Sequence, residues 1–159
     1  MSAIGHTAER VAAAVGFPVI ELAHPVVDSA ESAIRLLVDH LAILGAIATE
    51  YAEETIRALL RRERLASTAL GAGLALPHAK TQAVRQVVGL VGFSKDGIDW
   101  DGGRPHVLPV QEATDGPQRV HTVCLLLAPE CPRSALFRAG QAVVAQLRAI
   151  GCFGEDRRV

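Results

Sequence analysis

The chain has 159 residues, half of them hydrophobic and only 4% aromatic, with a formal net charge of −1. That length suits one domain with a substantial buried core, the lack of a basic surplus argues against a general nucleic-acid binder, and no run of about eighteen apolar residues is present to cross a membrane. The three cysteines, Cys124, Cys131 and Cys152, are odd in number and lack metal-ligand spacing, so we read them as reduced thiols of a cytoplasmic protein, with no disulfide and no metal site.

Taken in order, residues 1–5 are expected to be loose. Residues 4–18 are no signal peptide, because His6, Glu9 and Arg10 interrupt the apolar stretch. A short helix is predicted over Thr7–Val15, capped by Thr7 and ended by Gly16, followed by a strand at Val19–Leu22 that His24-Pro25 closes. Asp28 and Glu31 form a capping-box pattern ahead of a helix over Ser29–Leu44. In that helix Ile34, Leu37, Val38, Leu41 and Leu44 recur at three- and four-residue steps. A second helix is predicted from Glu50 to Arg64, with Ile56, Leu59 and Leu60 as its buried stripe and Arg57, Arg61, Arg62 and Arg64 in its last turns, where cations suit the helix dipole.

The stretch from Arg62 to Lys80 concentrates the chemistry. It holds an Arg-Glu pair, Ser67-Thr68, Gly71-Ala72-Gly73, the short apolar run Leu74-Ala75-Leu76, then Pro77-His78 and Lys80. The apolar run reads as one buried strand. It would hold His78 on a stiff stem, while the glycines let the backbone turn and approach something closely. An arginine fork and two hydroxyls arriving together form an anion site. Gly71-Ala72-Gly73 is neither a P-loop nor a dinucleotide fingerprint, so no nucleotide cofactor is expected. From the residues alone, Arg61, Arg62 and Arg64 are equal candidates for the cation.

Beyond this stretch, Val87–Phe93 is predicted as a strand that pairs with the His78 strand as a hairpin across Thr81–Gln86. Gly97–Asp101 reads as a turn, and residues 102–119, with three glycines and three prolines, as a long loop. Val120–Leu127 is the most hydrophobic strand, ended by Ala128-Pro129. A helix over Ser134–Ala149 and a charged tail from Cys152 to Val159 complete the chain. Interleaved strands and helices imply an α/β fold. Of the other histidines, His6, His24 and His40 read as surface or capping residues, His106 lies in the long loop, and His121 opens the hydrophobic strand.

The spacing Arg62-Glu63, Ser67-Thr68, Gly71-Ala72-Gly73, Leu74-Ala75-Leu76, Pro77-His78, Ala79-Lys80 resembles, without a gap, the active-site segment of the IIA proteins of the bacterial phosphoenolpyruvate-dependent phosphotransferase system, in the fructose/mannitol/nitrogen-regulatory class. Gly97-Ile98-Asp99-Trp100 and Leu125-Leu126-Leu127-Ala128-Pro129 are similar to further family segments. Weaker resemblance extends from about residue 17 to about residue 148.

The resemblance implies a single α/β domain over residues 1–159, with a mixed sheet of four to five strands and helices on both faces. It implies a phosphotransferase component whose His78 takes a phosphoryl group from HPr or an HPr-like protein. That group would then pass to a cysteine of a IIB domain, or serve as a regulatory mark. Arg62, Ser67 and Thr68 would bind the phosphoryl oxygens.

Family members place a second histidine at the start of the last main helix. Ser134–Arg138 holds none, so His121 or Arg138 is the candidate substitute. The family's usual last helix also has no counterpart in the tail. These departures define the alternative reading: a non-catalytic regulatory module that keeps the fold and works by docking to a partner. Neither reading requires a cofactor, nucleic acid or insertion into a membrane.

Overall fold

The computed structural model describes residues 3–101 and 119–151; the expected loop lies, apart from Arg119, outside the described residues, and so does the tail from Cys152. The element order is α1 (Ala3–Val15), β1 (Val19–Glu21), α2 (Ala30–Ile43), a short 3-10 turn (Thr49–Tyr51), α3 (Ala52–Leu65), β2 (Ala69–Gly71), β3 (Leu74–Ala75), β4 (His78–Lys80), β5 (Val88–Asp99), β6 (Arg119–Ala128) and α4 (Ala135–Ala149).

The strands form one six-stranded mixed sheet, in the order β1-β5-β6-β3-β2, with β4 also pairing with β6. The strand added to the expected four or five is β2, whose Ser-Thr-Ala-Leu approach reads locally as loop. It pairs antiparallel with β3 through Gly71, Ala72 and Gly73, whose φ angles of 86°, 54° and 77° are all left-handed. The glycines therefore serve a tight turn. What the backbone approaches there is β6: the Gly73 carbonyl accepts from the amides of His121 and Thr122.

β6 is the spine. It runs antiparallel to β5 and parallel to β3 and β4, and its side chains alternate between two cores. Val123, Leu125 and Leu127 pack with α2 and α3 against Leu37, Ile56 and Leu59. Cys124 and Leu126 pack with α1 and α4 against Val11, Val143 and Leu147. The period of two follows from strand geometry. Each fully buried leucine contributes on the order of 1.5–3 kcal/mol, so a strand apolar on both faces is strongly held between helix layers, and the expected helices on both faces are present.

Three local expectations are corrected. The hairpin between the His78 strand and β5 does not form: β4 pairs with β6 at His78↔Leu126, Ala79↔Leu127 and Lys80↔Ala128, while β5 takes the other edge of β6. A ten-residue apolar strand has backbone donors and acceptors on both edges, and inserting it between β4 and β5 satisfies both. The cap of α2 is Ser29, whose hydroxyl accepts from the Ser32 amide at 3.1 Å while the Ser32 hydroxyl accepts from the Ser29 amide at 3.0 Å. The capping box is thus Ser29/Ser32 and not Asp28/Glu31, because the helix starts at Ala30. Helix α1 begins at Ala3, which places Thr7 inside it and not at its cap.

Candidate functional site

His78 opens β4 directly after a break in the strand line. β3 ends at Ala75, Leu76 donates its amide to the Thr68 carbonyl at 3.0 Å, and the Pro77 carbonyl accepts from the Leu126 amide at 2.9 Å. β3 and β4 are therefore two pieces of one line along the same edge of β6, interrupted at Leu76-Pro77. The break turns the Leu76 carbonyl toward the imidazole, and His78 Nδ1 lies 2.8 Å from it. A carbonyl oxygen only accepts, so this contact is a hydrogen bond when Nδ1 carries the proton. The neutral ring then keeps its lone pair on Nε2. Beyond His78, the amide of Thr81 donates to Ala128, and Thr81 Oγ1 lies 3.3 Å from Thr55 Oγ1 in the interior, fixing the far end of β4 to α3.

His78 is half-buried between two open grooves that share it. One, of about 610 Å³, runs along the end of α3 and is lined by Ala58, Arg61, Arg62, Arg64, Leu65 and Lys80, with Leu136 opposite. The other, of about 580 Å³, runs along α4 and carries Lys80, Arg133 and Arg148 with Leu76, Leu136, Phe137 and Val144. The α4 residues facing it, Phe137, Gly140, Gln141, Val144 and Arg148, follow three- and four-residue steps. Among the described residues no carboxylate lines either groove.

The expected site residues divide. Arg62 is half-buried and shares a groove with His78; its Nη1 donates to the Ala66 carbonyl at 2.9 Å, leaving its other N–H groups for the groove. Ser67 and Thr68 do not reach either groove. Ser67 Oγ accepts from the Ala69 amide, and Thr68 is buried with its hydroxyl donating to Glu63 Oε2 at 2.6 Å. The expectation that these hydroxyls meet phosphoryl oxygens finds no support in this arrangement, because Thr68 faces inward.

His121 is also remote. Leu74 is level with Thr122 and His78 with Leu126, so His121 lies five residues, roughly 16 Å, back along β6. Its Nδ1 contacts the Ser94 carbonyl at 2.9 Å. Arg138 is exposed but lines neither groove, being one helical step past the Phe137 stripe. Neither proposed substitute for a second histidine is brought to His78; the cations that α4 and its approach present there are Arg133 and Arg148.

Glu63 is a buried residue behind the site that sequence reasoning left without a role. It is 5% exposed, and three donors hold its carboxylate: the Thr68 amide at 2.9 Å, the Thr68 hydroxyl at 2.6 Å and Trp100 Nε1 at 2.7 Å. A buried carboxylate demands such satisfaction. The clasp joins the helix turn carrying Arg62 to the loop before β2 and to the end of β5. The signal was present, since Ile56, Leu59 and Glu63 share one helical face. Cys124 is buried, and burial pushes its thiol up to about 12, which makes it a core group and not a nucleophile. Among the described residues there is no cluster of metal-ligating side chains, and no helix is long and apolar enough to cross a membrane.

Comparison with known proteins places the family and the fold. The family described as phosphoenolpyruvate-dependent sugar phosphotransferase system, EIIA 2, matches residues 19–142. The chain is 39% identical over 101 residues to the 2-O-alpha-mannosyl-D-glycerate-specific EIIABC component of Escherichia coli, covering 64% of this chain and 13% of that protein. It is 38% identical over 91 residues to a nitrogen regulatory protein of Bradyrhizobium diazoefficiens, covering 55% of this chain and 52% of that protein. The chain thus aligns with at most about half the length of these relatives. Among solved structures, nitrogen regulatory protein IIA-Ntr from Neisseria meningitidis superposes with a TM-score of 0.58 at 19% identity, covering 87% of this chain and 86% of that one. IIA mannitol from E. coli gives 0.55 at 22% identity, over 82% and 79%. At these identities the superpositions speak to the fold.

Proposed function

The chain belongs to the EIIA 2 family of the phosphoenolpyruvate-dependent sugar phosphotransferase system, and from that premise we propose that it is a phosphocarrier whose His78 Nε2 accepts and returns a phosphoryl group. The observation that carries this reading is the 2.8 Å contact from His78 Nδ1 to the Leu76 carbonyl, in a groove lined by arginines. With the proton held on Nδ1, the Nε2 lone pair attacks phosphorus. The P–N bond of the donor phosphohistidine breaks, and its electron pair returns to the donor ring. That ring, protonated on its other nitrogen, leaves as neutral imidazole. The positive charge taken up by the His78 ring is met by the Leu76 carbonyl. Phosphoryl transfer through a loose transition state needs chiefly positioning and charge stabilisation, and Arg62 supplies the fork for the phosphoryl oxygens. Ser67 and Thr68 act from behind, shaping the turn that presents Arg62.

The donor in this reading is HPr or an HPr-like protein, and the acceptor a IIB cysteine or a regulatory target, with the exchange taking place in the cytoplasm. Incubation with phosphoenolpyruvate, enzyme I and the HPr of the source organism, followed by intact mass measurement, tests it. One acid-labile phosphoryl group per chain is expected. An acid-stable adduct, or none from any phosphohistidine donor, overturns the assignment.

A further inference from the structure

Arg61, Arg62 and Arg64 end α3 in a groove that holds His78. Among the described residues, Arg62 is the one of these whose side chain hydrogen-bonds back to the main chain, through its 2.9 Å donation to the Ala66 carbonyl. That acceptor lies at the helix exit: α3 ends at Leu65, and Ala66 is already extended, at φ −165° and ψ 144°. A long side chain resting on a chain exit is aimed only as well as the exit is held, because an unrestrained arginine samples many rotamers.

The exit is held two residues later. Thr68 is buried, and both its donors, the amide and the hydroxyl, end on the Glu63 carboxylate. The same carboxylate accepts from Nε1 of the buried Trp100. Trp100 follows directly on the β5–β6 ladder, whose last pairs are Ile98↔Val120 and Asp99↔Arg119. A continuous path thus runs from the sheet through Trp100, Glu63, Thr68 and the Ala66 carbonyl to the Arg62 fork. It gives the Gly97–Trp100 segment, which the carrier chemistry leaves unused, a place behind the site.

Glu63 and Trp100 line neither groove, and donors occupy both Glu63 oxygens, so neither residue touches the phosphoryl group. Stability alone gives little reason for a buried carboxylate, since well-packed apolar residues often hold such a place as well. What the carboxylate adds is direction. Three bonds set where Thr68 lies, and through it where the Ala66 carbonyl points. We infer that Glu63 and Trp100 are positioning residues for phosphoryl transfer, which aim Arg62 through the turn 66–68. The inference rests on the carrier reading of His78 and adds two residues that act on it at a distance.

The test is a double-mutant cycle on the full chain, with potassium phosphoramidate as a donor that needs no docking. Glu63→Leu and Trp100→Phe are each made in the parent and in Arg62→Ala, and quenched time courses with intact mass give the labelling rates. Displacing a reacting group by about 1 Å costs on the order of 100-fold, so each variant is expected to lose about tenfold in the parent. In Arg62→Ala each is expected to lose less than about twofold, because the group being aimed is gone. Glu63→Gln, which keeps an acceptor for Trp100 and the Thr68 amide, is expected to stay within about threefold of the parent. Urea titration by circular dichroism verifies that each variant is folded under assay conditions. If Glu63→Leu does not fold, Trp100→Phe and Thr68→Val, each of which deletes one donor, carry the test with the same expectations. Equal fractional losses in both backgrounds, as a purely structural role would give, overturn the inference. Parent rates in the folded variants, or a Glu63→Gln as slow as Glu63→Leu, overturn it too, and each of these outcomes leaves the carrier chemistry standing. No acid-labile labelling of the parent from phosphoramidate or from phosphorylated HPr overturns the carrier reading and this inference together.

Discussion

Two histidines near opposite ends of β6, His78 on the adjoining β4 and His121 on β6 itself, are in nearly the same local state. His78 Nδ1 lies 2.8 Å from the Leu76 carbonyl and His121 Nδ1 lies 2.9 Å from the Ser94 carbonyl, and both rings are half-buried. Each contact fixes the same neutral tautomer, with Nε2 carrying the lone pair. Their surroundings differ. His78 opens into grooves carrying Arg61, Arg62, Arg64 and Lys80. His121 lies beside Gly73 and Gly97, and the nearby Arg119 donates to the Gly97 carbonyl at 3.3 Å. A poised imidazole is therefore common to both ends, and convergent cations distinguish them.

The sharpest way to break the comparison is to remove each ring. His78→Ala is expected to abolish acid-labile phosphorylation, whereas His121→Ala keeps the parent rate within about twofold, as distant surface changes do. Intact mass against time decides it, and equal losses would erase the distinction drawn here.

The cations come next. Arg62→Ala is expected to slow labelling by about 100-fold, the scale of losing one oriented charge at a transition state. Arg64→Ala, exposed and not tied to Ala66, is expected to cost a few-fold at most with a small-molecule donor such as phosphoramidate. Rates from quenched time courses separate the two, and equal small effects would mean that the cluster serves only docking.

Glu63→Gln tests the scaffold behind the His78 end. The new amide nitrogen can donate to the Thr68 hydroxyl while the side-chain oxygen keeps the Thr68 amide and Trp100, so the loss is the charge assistance of these bonds, about 2 kcal/mol. Urea titration followed by Trp100, the protein's single tryptophan, reads the loss directly. A change below about 0.5 kcal/mol would show that the clasp is dispensable.

The smallest effect is expected on the His121 side. Gly97 has φ of 81°, and a Cβ there would lie 2.9 Å from His121 Cε1. Gly97→Ala is expected to cost about 1–2 kcal/mol through left-handed strain. Its phosphoramidate labelling rate should match the parent, and a coupled loss of rate would tie the two ends of β6 together.

What the sequence determined by itself was most of the elements and the candidate for the reacting group. Helix periodicity predicted α2 and α3, apolarity predicted β6, and the offsets from Arg62 to Lys80 singled out His78. Those signals are local, since period and spacing are written along the chain. The tertiary structure decided which elements became neighbours. The proximity of β4 to β5 in sequence suggested a hairpin, yet the backbone groups of β6 outcompeted that local pairing and took both strands. The same long-range choice turned Thr68 inward onto Glu63 and Trp100, and carried His121 to the far end of β6. It also aligned Arg133 and Arg148 with the end of α3, because helices on one sheet meet according to how their buried faces pack, and sequence distance does not encode that geometry.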